Sequence, residues 1–259
     1  MKDVNAENTM PISSWLRLRA SAVHLYTASG AVLTLLILVA AYNGDAVVAL
    51  WLMLATLVID STDGLLARRF RVKEFLPLFD GRRLDDIVDY MTYVLAPVLL
   101  LWSGGYLPEG PFGVVLAALP ILASSYQFCR VDAKTEDGAE TDHFFLGFPS
   151  YWNIVAFYAI VFGLGPGAVG AILLVFSLLV FVQIGYIYPS RTVAFRKLTL
   201  TLTSLWIVSY VAILLQMPNP DPVLRALSLL YIVYYFGLSL YLSAKLLKTR
   251  RLSEGALDQ

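Results

Sequence analysis

Cysteine and histidine are scarce in this chain: one Cys and two His among 259 residues. A lone thiol forms no internal disulfide, and Cys129 sits among apolar neighbours as a small packing residue, so redox chemistry is set aside. Charge is scarce as well. Only 15% of residues are charged, and Lys plus Arg (19) equals Asp plus Glu (19), so nothing in the balance calls for a nucleic-acid partner. The first residues, MKDVNAENTMPISSW, mix acidic, polar and basic side chains and lack the basic-then-apolar layout of a cleaved signal peptide, so the N-terminus is expected to be kept. There is no internal repeat and no low-complexity tract, only a short acidic loop from Glu136 to Asp142.

What the chain has in excess is apolar surface. A hydrophobic content of 58% is more than one soluble core can hide, so lipid must serve as solvent. Apolar stretches at 24–42, 46–69, 84–103, 112–131, 150–164, 167–188, 199–216 and 223–246 are each long enough, or nearly so, to cross a bilayer as helices. Turn chemistry separates them: Asn43-Gly44-Asp45, Ser103-Gly104-Gly105, the glycines around Pro166, and Pro218-Asn219-Pro220. The expected fold is an all-α, polytopic membrane helix bundle of about eight transmembrane helices. It comprises a juxtamembrane segment (1–23), a transmembrane catalytic domain (24–246) and a tail (247–259).

Basic residues fall in alternate loops. Lys2, Arg17 and Arg19 precede the first span; Arg68, Arg69, Arg71, Lys73, Arg82 and Arg83 lie between the second and third; Arg130 and Lys134 follow the fourth; Arg191, Arg196 and Lys197 follow the sixth; Lys245, Lys248, Arg250 and Arg251 close the chain. Only Arg225 falls on the other side, so both termini are expected to be cytoplasmic. Ile12, Trp15, Leu16 and Leu18, with Arg17 and Arg19, form either a short interfacial amphipathic helix or an ordinary flank of the first span.

The chemistry is concentrated in residues 60–90, DSTDGLLARRFRVKEFLPLFDGRRLDDIVDY. On a helix Asp60, Asp63, Gly64 and Ala67 share one face, and Gly81, Asp85 and Asp89, four apart, share another. Both pairs of carboxylates come to the cytoplasmic boundary, at the exit of the second span and the entry of the third. Four converging carboxylates in a low-dielectric site do not all stay ionised without cations, and oxygen-only ligands favour Mg²⁺, Mn²⁺ or Ca²⁺ over zinc, the first two being the catalytic choices. Gly64 and Gly81 leave room for a phosphate against the backbone, Ala67 keeps that wall small, and Arg68 can place a guanidinium on it. Carboxylates merely pairing with Arg68, Arg82 and Arg83 at the helix ends would need neither the glycines nor the spacing.

The pattern D-x-x-D-G-x-x-A-R, then G-x-x-x-D-x-x-x-D, resembles the motif of the CDP-alcohol phosphotransferase family at every fixed position: Asp60, Asp63, Gly64, Ala67, Arg68, Gly81, Asp85 and Asp89. The spacer from Arg68 to Gly81 is longer than the commonest form. That length, FDGRRLDDIVDYMTYV at 79–94 and GFPSYWN at 147–153 are similar to the bacterial phosphatidylcholine synthase branch. The resemblance implies a six-helix core with two added spans, residence in the bacterial inner membrane and a homodimer. It also implies phosphatidyl transfer from CDP-diacylglycerol to choline with release of CMP. Asp60, Asp63 and Asp85 are then ligands of two Mn²⁺ or Mg²⁺ ions, and Asp89 is the general base with a second contact to metal. Thr27, Gly64, Ala67, Arg68 and Gly81 are then the CDP and diphosphate contacts. His24 stands where family members often carry an Asn, a departure that leaves its role open.

Choline offers no hydrogen-bond donor, so aromatic faces are its natural partners. Tyr151 and Trp152, at the start of the fifth span, and Tyr90 and Tyr93, beside the catalytic face of the third, are the candidates. His143, in the acidic loop, reads as a solvated histidine, and Asp86, about 100° around the helix from Asp85, as a salt-bridge partner. Arg191 either holds a lipid phosphate or anchors its helix. Two other readings stand beside choline transfer. A sibling enzyme would use serine, inositol phosphate or glycerol phosphate, and a phosphorylated acceptor would draw on Arg130, Arg191 and Arg196. An ion transporter would carry its carboxylates near the midplane on broken helices.

Overall fold

The computed structural model of the chain describes residues 14–130, 144–189 and 191–257. Lys2, Ile12, Lys134, His143, Ser190 and the acidic loop lie outside the described residues. In chain order the elements are α1 (Ser14–Tyr42), α2 (Ala46–Arg69), the one-turn α3 (Val72–Phe75), α4 (Gly81–Asp89), a π-helical stretch (Tyr90–Leu95), α5 (Ala96–Ser103), α6 (Pro111–Cys129), strand β1 (Phe144–Leu146), α7 (Trp152–Val161), α8 (Pro166–Phe181), strand β2 (Gly185–Ile187), α9 (Arg196–Leu215) and α10 (Pro222–Leu257). α1, α2, α6, α9 and the first two-thirds of α10 are long and apolar enough to cross a bilayer, and α7 and α8 are shorter apolar helices. α4, the π stretch and α5 follow one another without a break from Gly81 to Ser103. The chain is an all-α polytopic membrane protein.

Helix ends differ from the sequence reading in four places. α1 begins at Ser14, so Trp15 to Arg19 are a flank of the first span and not a separate interfacial helix. The fifth span is ten residues, Trp152–Val161. α10 runs into the expected tail, as far as Leu257. The largest difference is at the sixth span, which stops at Phe181 and not at 188, because Gly185–Ile187 pair antiparallel with Phe144–Leu146. Non-helical backbone in a membrane protein has to find polar partners inside the protein. Here α10 supplies them one turn apart: Gly185 N donates to Ser243 Oγ (3.0 Å) and Ile187 N to Ser239 Oγ (3.1 Å). Tyr235 Oη donates to the Ile187 carbonyl (3.2 Å).

Close helix crossings set the active end of the bundle. α1 packs along α2, and a Cβ at Gly30 would come within 2.5 Å of Val88 Cγ1, so α1 meets α4 as closely as it does only because residue 30 is glycine. Farther along, Phe157 stacks on Tyr210 at 3.7 Å between ring centroids, and the Tyr158 hydroxyl accepts from Trp206 Nε1 and donates to Ser228, tying α7 to α9 and α10. Small residues and hydroxyls at helix contacts are how helices hold together where lipid supplies no hydrophobic drive.

Candidate active site

The C-terminal part of α2 and the helix α4 bring three carboxylates together. Asp60, Asp85 and Asp89 each offer an oxygen, all within 4.8 Å of one another. Asp63, the fourth, is buried and lines the same narrow cleft, which also includes Thr27, Gly30, Thr56 and Thr92. It stands apart from the other three because its Oδ2 accepts a 2.9 Å hydrogen bond from Thr27 Oγ1. The adjacent Tyr26 and Thr62 hydroxyls are also bonded, at 2.8 Å, so α1 and α2 are pinned in register at this depth. An all-oxygen donor set this compact fits a hard divalent cation.

The π-helical stretch directly after Asp89 shapes the rest of the cleft. Its i→i+5 bonding turns the chain less per residue than an α-helix does, so Tyr93 stays on the side of Asp85 and Asp89 where α geometry would drift away. The buried Tyr93 hydroxyl donates to Asp60 Oδ2 at 2.6 Å. Tyr93 thus holds a carboxylate of the cluster, a role its position in the sequence did not signal.

The glycines and Ala67 have packing reasons of their own. A Cβ at Gly81 would stand 2.6 Å from His24 Cε1, and His24 also lies against the Phe79 ring at 4.2 Å between centroids. His24 Nε2 is buried and has no hydrogen-bond partner. At Gly64 a Cβ would meet only Arg68 Nη1, at 3.5 Å, so the exposed Arg68 folds back along α2 past Gly64. Ala67 packs with Ala20, Val23 and Val72, which fastens the spacer onto α1. Asp80 caps α4 by accepting from Arg83 N (3.1 Å), and its carboxylate lies 3.8 Å from the Arg83 guanidinium.

The four candidate aromatics separate. Tyr151 lies beside Tyr93 at 6.1 Å between centroids, and Phe145 and Tyr235 flank it at 6.3 and 6.2 Å. Tyr188 adjoins Phe145 at 4.7 Å, under the Arg191 guanidinium. Trp152 is placed elsewhere: it is fully buried, and its Nε1 donates to Ser124 Oγ in a network with Ser150 and Gln127. Tyr90 turns to α6, donating to the Ile121 carbonyl (3.0 Å) and meeting the Ser125 hydroxyl (2.9 Å). Phe145, Tyr188 and Tyr235 were missed by sequence reasoning. They come from three distant segments, and no local spacing links them.

Comparison with known proteins agrees with this geometry. The CDP-alcohol phosphatidyltransferase family matches residues 22–183, ending just after α8 and before α9 and α10. A phosphatidylcholine synthase of Legionella bozemanae is 41% identical over 79% of this chain and 94% of its own. Those of Pseudomonas aeruginosa and Borreliella burgdorferi are 38% and 33% identical, over 88% and 95% of this chain and 93% and 98% of theirs. The match spans every helix that contributes to the carboxylate cleft, and the chain belongs to the CDP-alcohol phosphatidyltransferase family.

Proposed function

We propose that this chain is a phosphatidylcholine synthase, transferring the phosphatidyl group of CDP-diacylglycerol to choline and releasing CMP. The observation that carries the reading is the adjacency of the carboxylate cluster to the Tyr93–Tyr151 wall, in a chain whose full-length relatives bear that name.

Asp60, Asp85 and Asp89, with Asp63 beside them, are the residues that would hold Mn²⁺ or Mg²⁺. Two such ions would neutralise the diphosphate and polarise the attacked phosphorus. Tyr93 holds Asp60 in its bonding orientation, and Thr27 does the same for Asp63. Arg68 lies along Gly64, the residue after Asp63, and its guanidinium would meet the diphosphate. The choline oxygen bonds to the phosphatidyl phosphorus as the bond to CMP breaks, and Asp89 takes the hydroxyl proton. A carboxylate is a weak base for an alcohol, so proton transfer accompanies P–O bond formation. Tyr151, with Phe145, Tyr188 and Tyr235, gives the quaternary ammonium its aromatic faces.

The segregation of Lys and Arg supports a cytoplasmic cleft and cytoplasmic termini, and the bacterial relatives support residence in the inner membrane. Family resemblance supports a homodimer. The test is purified protein in nanodiscs with CDP-diacylglycerol, Mn²⁺ and a panel of labelled choline, serine, inositol phosphate and glycerol phosphate. Choline is expected to give phosphatidylcholine and stoichiometric CMP; preference for another alcohol overturns the acceptor.

A further inference from the structure

A second cavity lies outside the catalytic cleft. It is an open groove of about 240 Å³ lined by Leu16 and Arg19 of α1, Arg69 at the end of α2, and Phe70, Arg71 and Phe75 of the spacer. The Arg19 guanidinium lies over the Phe70 ring at 4.7 Å, and Arg71 lies over Phe75 at 5.8 Å while pairing with Glu74. Arg69 follows Asp63 by six residues and so points about 120° away from it around α2, which separates the groove from the catalytic face.

The depth of the groove follows from the Thr27–Asp63 hydrogen bond, which sets those two residues level. Arg19 lies eight residues before Thr27 and Arg69 six after Asp63, so the groove stands about 9–12 Å outward of the carboxylates. With the carboxylates at the hydrocarbon boundary, these backbone positions stand at the outer edge of the headgroup layer, from which the long arginine side chains reach back to a lipid phosphate. Trp15 and Leu18, on the same stretch of α1, are 62% and 60% exposed, apolar side chains turned outward at that level. Three guanidinium groups around a pocket floored by aromatic rings suit one phosphate on an acyl-chain tether, since Arg matches phosphate by paired N–H groups and its stem packs on apolar surface.

We propose that this groove binds the headgroup phosphate of an anionic phospholipid, clamping the 70–80 spacer against α1. The site is separate from donor and acceptor binding and does not depend on the choline reading.

The test uses the full chain, delipidated in neutral detergent and titrated with fluorescent phosphatidylglycerol, fluorescent phosphatidylcholine or inorganic phosphate. Phosphatidylglycerol is expected to bind saturably, more tightly than phosphatidylcholine, and to resist displacement by millimolar phosphate. The double variant Arg19→Gln/Arg69→Gln is expected to weaken it by about 30-fold, from two lost charges at an anionic lipid, without changing turnover in nanodiscs whose only anionic lipid is the donor at saturating concentration. Arg19→Lys/Arg69→Lys, which preserves charge and guards against a folding defect, is expected to recover part of the affinity, the remainder being the paired N–H groups and ring contact that only Arg supplies. Equal binding by the Gln variant overturns the site. Equal retention of both lipids, or displacement by phosphate alone, overturns its assignment to an anionic phospholipid.

Discussion

The Tyr93 hydroxyl donates a 2.6 Å hydrogen bond to Asp60 Oδ2, joining the π-helical stretch to α2. A second partner of this kind fixes the orientation of a metal-holding carboxylate. Tyr93→Phe is expected to weaken Mn²⁺ activation and to cut turnover by about 10- to 100-fold, with the fold retained. Metal titration beside the rate measurement checks it. If the activation midpoint stays put while the choline KM rises, Tyr93 acts as an acceptor contact instead.

Asp85 and Asp89 lie one turn apart and share the carboxylate cluster. Asp85→Asn is expected to weaken both metal and donor binding. Asp89→Asn is expected to leave donor binding nearly intact while lowering kcat by about 10²-fold or more. Chelation is expected to abolish activity, and Mn²⁺ or Mg²⁺ to restore it. Full activity in excess chelator would end the metal reading, and equal loss of metal binding in both variants would make Asp89 a structural ligand.

Tyr151 and Trp152 are neighbours with opposite surroundings. Tyr151→Ala is expected to raise the choline KM by about 10-fold or more through a lost cation–π face, with the CDP-diacylglycerol KM unchanged. Trp152→Ala is expected to act on stability, since it empties a fully buried site and orphans a hydroxyl network. Kinetics and thermal melting in detergent separate the two; an acceptor effect at Trp152 with unchanged melting contradicts this assignment.

Gly147 and Gly44 both have positive φ, at 86° and 75°. A Cβ at Gly147 would sit 2.1 Å from the Val180 carbonyl oxygen, whereas at Gly44 nothing lies within 4 Å. Gly44→Ala is expected to cost about 1 kcal/mol from strain alone, and Gly147→Ala about 3 kcal/mol or more. Denaturation of the purified variants checks the order, and equal losses would show that Gly147 does not lie against the Val180 carbonyl.

The amino-acid sequence determined the membrane class, the position of nearly every span and the two carboxylate faces of the cleft. These follow from runs and from three- and four-residue spacing, which depend only on neighbours along one helix. What the tertiary structure decided was each side chain's partner. Asp63 reads in sequence as the equal of Asp60, yet it faces Thr27 of α1. Trp152 reads as a mate for Tyr151, yet successive residues at the start of a helix point about 100° apart, and the core took one of them. The sixth span reads as uniform helix to 188, yet its end pairs with Phe144–Leu146 because α10 brings Ser239 and Ser243 to the open strand edge. Contacts between residues tens of positions apart depend on how helices cross, and no period along the chain encodes a crossing.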